Sequence, residues 1–186
     1  MGVEILSQSK RIMNKIFHAA SEVDMTVYYQ DTDSVHVPQE GFENLKAKYL
    51  ELYGEEFEGK ELGQTLPDFE ASGFKDLVSV ESFFVGKKAY LDILEGTHIE
   101  TGERRRTHHV RLKGIPYASI LEAARQRGEN VEEGLLNIFN QFYSTDEPVT
   151  FDLLVKGPSF DMRPDMSIVS RREFIRKIKF TTPIGK

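Results

Sequence analysis

Between residues 4 and 37 the spacing of apolar side chains changes from helical to strand-like, and that change constrains the fold more than anything else in the chain. Ile5, Leu6, Ile12, Met13, Ile16, Phe17, Ala20 and Val23 recur at intervals of three and four, which predicts an amphipathic helix over residues 4–23. A β-branched and aromatic run begins at Thr26 and leads through Tyr28-Tyr29-Gln30-Asp31-Thr32-Asp33-Ser34-Val35-His36-Val37. Strand-favouring residues flank a short polar centre, which reads as a hairpin with a polar tip, ended by Pro38. Strand side chains alternate with period two, so Asp31 and Asp33 are expected on one face of that tip. Two hard oxygen anions so placed suit Mg²⁺, which favours carboxylates and phosphate oxygens. Read alone, the same residues also make an ordinary acidic β-turn.

Phe42, Leu45, Tyr49, Leu50 and Tyr53 predict a second helix, closed by Gly54. From Leu66 to Leu94 the pattern is that of strands, with a break at Gly86. Gly96 and Thr101-Gly102-Glu103 read as loops or turns, and residues 107–113 as a further strand. Pro116 is placed to open a helix, and two helices are expected over 116–127 and 131–143. The tail from Val149 reads as strand pieces broken at Gly157-Pro158 and Arg163-Pro164. The class is α+β, and 186 residues suffice for one domain or two small ones.

The segment at 28–34 resembles the Tyr-x-Asp-Thr-Asp-Ser hairpin of family B DNA polymerases, most closely their viral and organellar branch, which includes protein-primed enzymes. The likeness extends upstream through Gly2-Val3-Glu4-Ile5-Leu6-Ser7-Gln8-Ser9-Lys10-Arg11-Ile12-Met13-Asn14. Downstream it takes in Leu62-Gly63-Gln64 with Asp68-Phe69-Glu70, then Lys87-Lys88-Ala89-Tyr90, then Arg111-Leu112-Lys113-Gly114-Ile115. These five pieces lie in the family's order over about the first 115 positions. One departure is Gln30, which stands where the family often has Gly.

The resemblance implies an antiparallel palm sheet with an acidic hairpin and packed helices, followed by a mixed helical and β thumb. The division falls at residues 1–95 and 96–186. It implies DNA-directed nucleotidyl transfer with two Mg²⁺ ions, Asp33 as principal metal ligand and Asp31 as its neighbour and candidate second ligand, both catalytic. Thr32 and Ser34 would lie against the incoming deoxynucleotide. Lys87, Lys88 and Tyr90 would contact the primer–template, an ammonium meeting phosphate and a phenol offering a hydrogen bond and a flat face. Alternation favours Lys88 with Tyr90 over Lys87; the bland reading of Lys87-Lys88 is a solvated sheet edge. Arg111 and Lys113 join them as DNA contacts. Arg104, Arg105 and Arg106 read equally as phosphate contacts or as a solvated hairpin loop. His108 and His109 are adjacent and alternate in face, which argues against a shared zinc site. A second basic cluster, Arg171, Arg172, Arg176, Lys177 and Lys179, lies beyond the family-like pieces.

The family's first catalytic carboxylate, its fingers helix and its exonuclease have no counterpart here, and the family places them before the equivalent of Gly2. The chain is therefore expected to correspond to the last third of a polymerase. It should be inactive alone and need a second polypeptide to supply those parts. The alternative is a non-catalytic fragment that grips primer–template DNA; metal-dependent phosphodiester hydrolysis is a distant third.

Composition is that of an ordinary globular protein, with 39% hydrophobic and 29% charged residues. No apolar run approaches the ~20 residues of a membrane helix. The first residues lack the pattern of a secretory signal, and the absence of cysteine fits a reducing compartment. A host cytoplasm is the default expectation, with nucleus and organelle left open. The net charge of −6 is uneven: residues 40–70 hold nine acids and three bases, residues 1–39 five and three, residues 71–186 sixteen and eighteen.

Overall fold

A computed structural model describes residues 2–69, 71–145 and 148–182, with the side chains of 154–159 and 172–182 outside that description. The fold is α+β, and it divides into two compact units, residues 1–70 and 71–186. Among the described residues there are four helices and three antiparallel sheets.

In the first unit, α1 (Gly2–Glu22) and α2 (Phe42–Tyr53) flank a short hairpin of β1 (Tyr29–Asp31) and β2 (Ser34–His36). The helical stripe predicted for 4–23 buries Met13, Ile16, Ala19 and Ala20 against Leu45, Tyr49 and Phe57. Only the C-terminal half of α1 packs in this way. Ile5 and Leu6, which belong to the same stripe, are 67% and 60% exposed. Gly54 caps α2 in the left-handed region at φ 65°, its N–H donating to the Leu50 carbonyl at 2.8 Å.

In the second unit, β3 (Phe74–Gly86), β4 (Ala89–His98) and β5 (Arg104–Leu112) form a meander in the order β3-β4-β5. Leu91, Ile93, Val110 and Leu112 of this sheet pack with Ile120, Ala123 and Ala124 of α3 (Tyr117–Arg125) and with Leu135, Ile138 and Phe139 of α4 (Val131–Ser144). The same core takes in Val149, Phe151 and Leu153, which anchor the base of a long ribbon of β6 (Val149–Met162) and β7 (Ile168–Thr182). Asn130 caps α4 by accepting a hydrogen bond from the Glu133 N–H at 2.9 Å, while the Glu133 carboxylate accepts from the Glu129 N–H at 2.7 Å.

Three expectations need correction. The division expected at 95/96 falls inside β4, where Gly96 pairs with Arg105, and the compact units meet at 70/71 instead. Gly96 is thus a strand residue and not a turn; a Cβ there would lie 2.9 Å from the Lys75 carbonyl oxygen, so a close approach of β3 requires the glycine. Gly157-Pro158 does not break the tail, because Pro158 pairs with Glu173 in a two-stranded ribbon where every strand is an edge.

Candidate active-site hairpin and basic sheet end

The acidic segment folds as the sequence reading expects in outline, with the register Tyr29↔His36, Gln30↔Val35 and Asp31↔Ser34. That register leaves Thr32 and Asp33 as a two-residue turn. The Asp33 N–H donates to the Asp31 carbonyl at 2.6 Å, and Thr32 has φ 53°. This is a γ-turn centred on a β-branched residue in the left-handed region, a conformation that costs energy and persists only where its surroundings impose it. The Thr32 hydroxyl donates to Asp31 Oδ1 and the Ser34 hydroxyl to the Asp31 carbonyl, each at 3.2 Å. Asp31 is half-buried at the end of β1 and Asp33 is exposed in the turn. Strand alternation therefore does not run from one carboxylate to the other, and the period-two argument for a shared face does not apply.

Behind the tip, the ring of Tyr29 meets His36 edge-on with centroids 5.5 Å apart, and the ring of Phe69 meets the same His36 at 5.9 Å. The Asp68-Phe69 piece thus folds back onto the hairpin that precedes it by more than thirty positions; Glu70 lies outside the described residues. Among the described residues no group of three or more His, Cys, Asp or Glu side chains is placed to hold a metal ion. A pair of carboxylates still fits Mg²⁺ in one setting, because this ion keeps several waters and is commonly held by one or two carboxylates together with substrate phosphates.

The second set of predicted residues gathers at one end of the three-stranded sheet. Gly86 pairs with Ala89, so Lys87 and Lys88 form the two-residue turn between β3 and β4, with Lys88 at φ 59°. They are turn residues, and the alternation that preferred Lys88 to Lys87 does not hold. Ala89 pairs with Leu112 and Tyr90 with Arg111, which brings Lys113 to the same end as the lysine turn. All four cations are exposed. Among the described residues Lys87, Arg111 and Lys113 make no ion pair. The arginine triplet differs. Arg104, Arg105 and Arg106 open β5 at the far end of the sheet and are bound to Glu95 at 2.6 Å, Glu103 at 2.7 Å and Glu132 at 3.2 Å. The side chains of Arg172, Arg176, Lys177 and Lys179 lie outside the described ones.

A polar cluster that the sequence reading missed sits between the two ends. Asp92 is fully buried in β4, accepting hydrogen bonds from the Ser82 hydroxyl at 2.6 Å and the Ser79 hydroxyl at 3.3 Å. Its register partner His109 places Nδ1 4.0 Å from Asp92 Oδ2. A buried carboxylate is tolerable only with such partners. The available signal was a charge inside the apolar run Tyr90-Leu91-Asp92-Ile93-Leu94. His108 has different neighbours, its Nε2 lying 2.9 Å from the Tyr117 hydroxyl with the rings stacked. Burial holds the His108 imidazole below its ordinary pKa.

No family model, curated protein or solved structure matches the chain. The acidic hairpin belongs to the first unit and the basic sheet end to the second.

Proposed function

We propose that the chain is the C-terminal portion, palm hairpin followed by thumb, of a DNA-directed DNA polymerase of family B type. The observation that carries this reading is the tip itself: a Tyr-x-Asp-Thr-Asp-Ser segment on a two-residue turn that holds its central threonine at φ 53°. An ordinary acidic turn would place Gly or Asn there, because those residues reach positive φ without the clash a β-branched side chain meets. Asp33, exposed at the tip, and Asp31 beside it would hold Mg²⁺ against the phosphates of an incoming deoxynucleotide, with Thr32 and Ser34 alongside. The ion would activate the primer hydroxyl and stabilise charge on the phosphate oxygens. Lys87, Lys88, Arg111 and Lys113, with Tyr90, supply a cationic rim of the kind that meets primer–template phosphates.

Two carboxylates do not make a two-ion site. The reading therefore includes a second polypeptide bringing the fingers, an exonuclease and the first palm carboxylate. The purified chain, given primed template, Mg²⁺ and deoxynucleotides, is expected to show no extension, and extension should appear only with a co-purifying chain that carries those parts. Robust extension by the chain alone would overturn the split assignment. The alternative is a non-catalytic fragment that grips DNA through the cationic sheet end alone. It predicts that Asp31→Asn and Asp33→Asn leave DNA affinity and complemented extension unchanged.

A further inference from the structure

A cleft of different chemistry lies along one face of α1. Ser7, Lys10, Arg11, Asn14 and Lys15, with Tyr53 of α2, line an open cleft of about 610 Å³. Ser7, Lys10, Arg11 and Asn14 follow the i, i+3, i+4, i+7 spacing of one helix face. Lys10, Arg11 and Lys15 are the three basic residues of positions 1–39, and all three line this one cleft. They do so within a unit whose other half is strongly acidic, nine acids to three bases over residues 40–70. Two of the three other lysines of the unit are ion-paired, Lys46 with Glu43 and Glu58, and Lys48 with Glu51.

Lys15 is held in place. Its ammonium donates to both Glu55 carboxylate oxygens at 2.7 and 2.8 Å and stands 5.0 Å from the centre of the Tyr53 ring. The Tyr53 hydroxyl is bonded to His18 at 2.8 Å, which fixes that wall as well. Lys10 and Arg11 are exposed, and among the described residues neither makes an ion pair. The cleft thus offers two uncommitted cations, a hydroxyl and an amide beside a third cation already paired with Glu55, along about 12 Å of helix. Arginine presents a planar fork and lysine a point charge, the two donors best suited to phosphate oxygens.

We infer that this cleft binds phosphate groups in series, those of a polyphosphate chain or of a single-stranded nucleic acid backbone. The inference does not depend on the polymerase reading. Its test uses the full chain carrying Lys87→Gln, Lys88→Gln, Arg111→Gln and Lys113→Gln, which removes the basic sheet end as a competing site. Two probes are titrated separately, tripolyphosphate by calorimetry and a fluorescent oligothymidine by anisotropy over a range of salt. Lys10→Glu with Arg11→Glu is expected to weaken the binding probe about tenfold. For the oligothymidine it should lower the salt slope by roughly 0.7 per lost phosphate contact. Lys10→Gln with Arg11→Gln should give a smaller loss in the same direction. Binding of tripolyphosphate alone assigns the cleft to a polyphosphate ligand, and binding of oligothymidine alone assigns it to a strand. Failure of both probes to bind, or binding that neither double variant alters, overturns the proposal.

Discussion

Single side chains set two distinct energetic problems in this protein. Asp92 is a carboxylate placed where no water reaches, and it is kept there by the hydroxyls of Ser79 and Ser82. His108 is an imidazole pushed toward its neutral form by burial against α3. A histidine whose pKa is lowered in the folded state binds its proton more readily when unfolded, so its contribution is present above about pH 6.5 and is lost as the solution becomes more acidic. The protein is therefore expected to melt at a lower temperature at pH 5.5 than at pH 7.5, and His108→Gln should shrink that difference. Calorimetric melting of both proteins at the two pH values checks this; an identical difference would exclude His108 as the source. The signal for His108 was absent from the sequence, since two adjacent histidines on a strand say nothing about what packs on each side. Asp31 and Asp33 were visible as candidates at once. What the sequence hid was the start of the turn, which decides that one carboxylate ends a strand and the other does not.

At the scale of elements, periodicity located the helices and strands well wherever an apolar face was buried. Helix α1 was expected over 4–23 and runs Gly2–Glu22; α4 was expected over 131–143 and runs Val131–Ser144. The pattern erred where glycine and proline were treated as punctuation. Gly96 and Gly157-Pro158 lie inside strands, because close backbone approach in one case and ribbon edges in the other accommodate them. Gly134 makes the same point for a helix, where it lowers the intrinsic propensity of α4 by about 1 kcal/mol relative to alanine. The reason is the crossing with α3: a Cβ on Gly134 would fall within 1.9 Å of the Ala124 carbonyl oxygen. Gly134→Ala should therefore destabilise the protein by about 1–3 kcal/mol despite the better helix former, since the helices must separate to admit it. Urea unfolding measures this, and a neutral or stabilising effect would mean that the crossing is looser than described. Asn130→Ala, which removes a cap without touching the crossing, provides a scale of about 1 kcal/mol.

Across the whole molecule, each unit has its own hydrophobic cluster, one built on Ile16, Leu45 and Tyr49, the other on Leu91, Ile138, Phe139 and Phe151. Amide hydrogen exchange in rising urea is expected to show two protected groups with separate midpoints, divided near residue 70. A single common midpoint would show that the units unfold as one. The division expected at 95/96 rests on motif order and loop composition, neither of which reports where a core ends, and the compact units divide at 70/71 instead.

The hairpin that carries Asp31 and Asp33 has only three residues in each strand. Such a ribbon is marginal in water by itself and owes its shape to the helices behind it, where Val27 and Val35 pack on the first cluster. If the tip holds Mg²⁺ as proposed, cation affinity there and the folding of residues 1–70 are thermodynamically linked. Millimolar Mg²⁺ or Mn²⁺ should raise the melting point of the first unit and leave that of the second unmoved, and Asp33→Asn should abolish the rise. A mutation as remote as Ile16→Ala should, by loosening the support, slacken the grip on the ion without altering any atom that touches it.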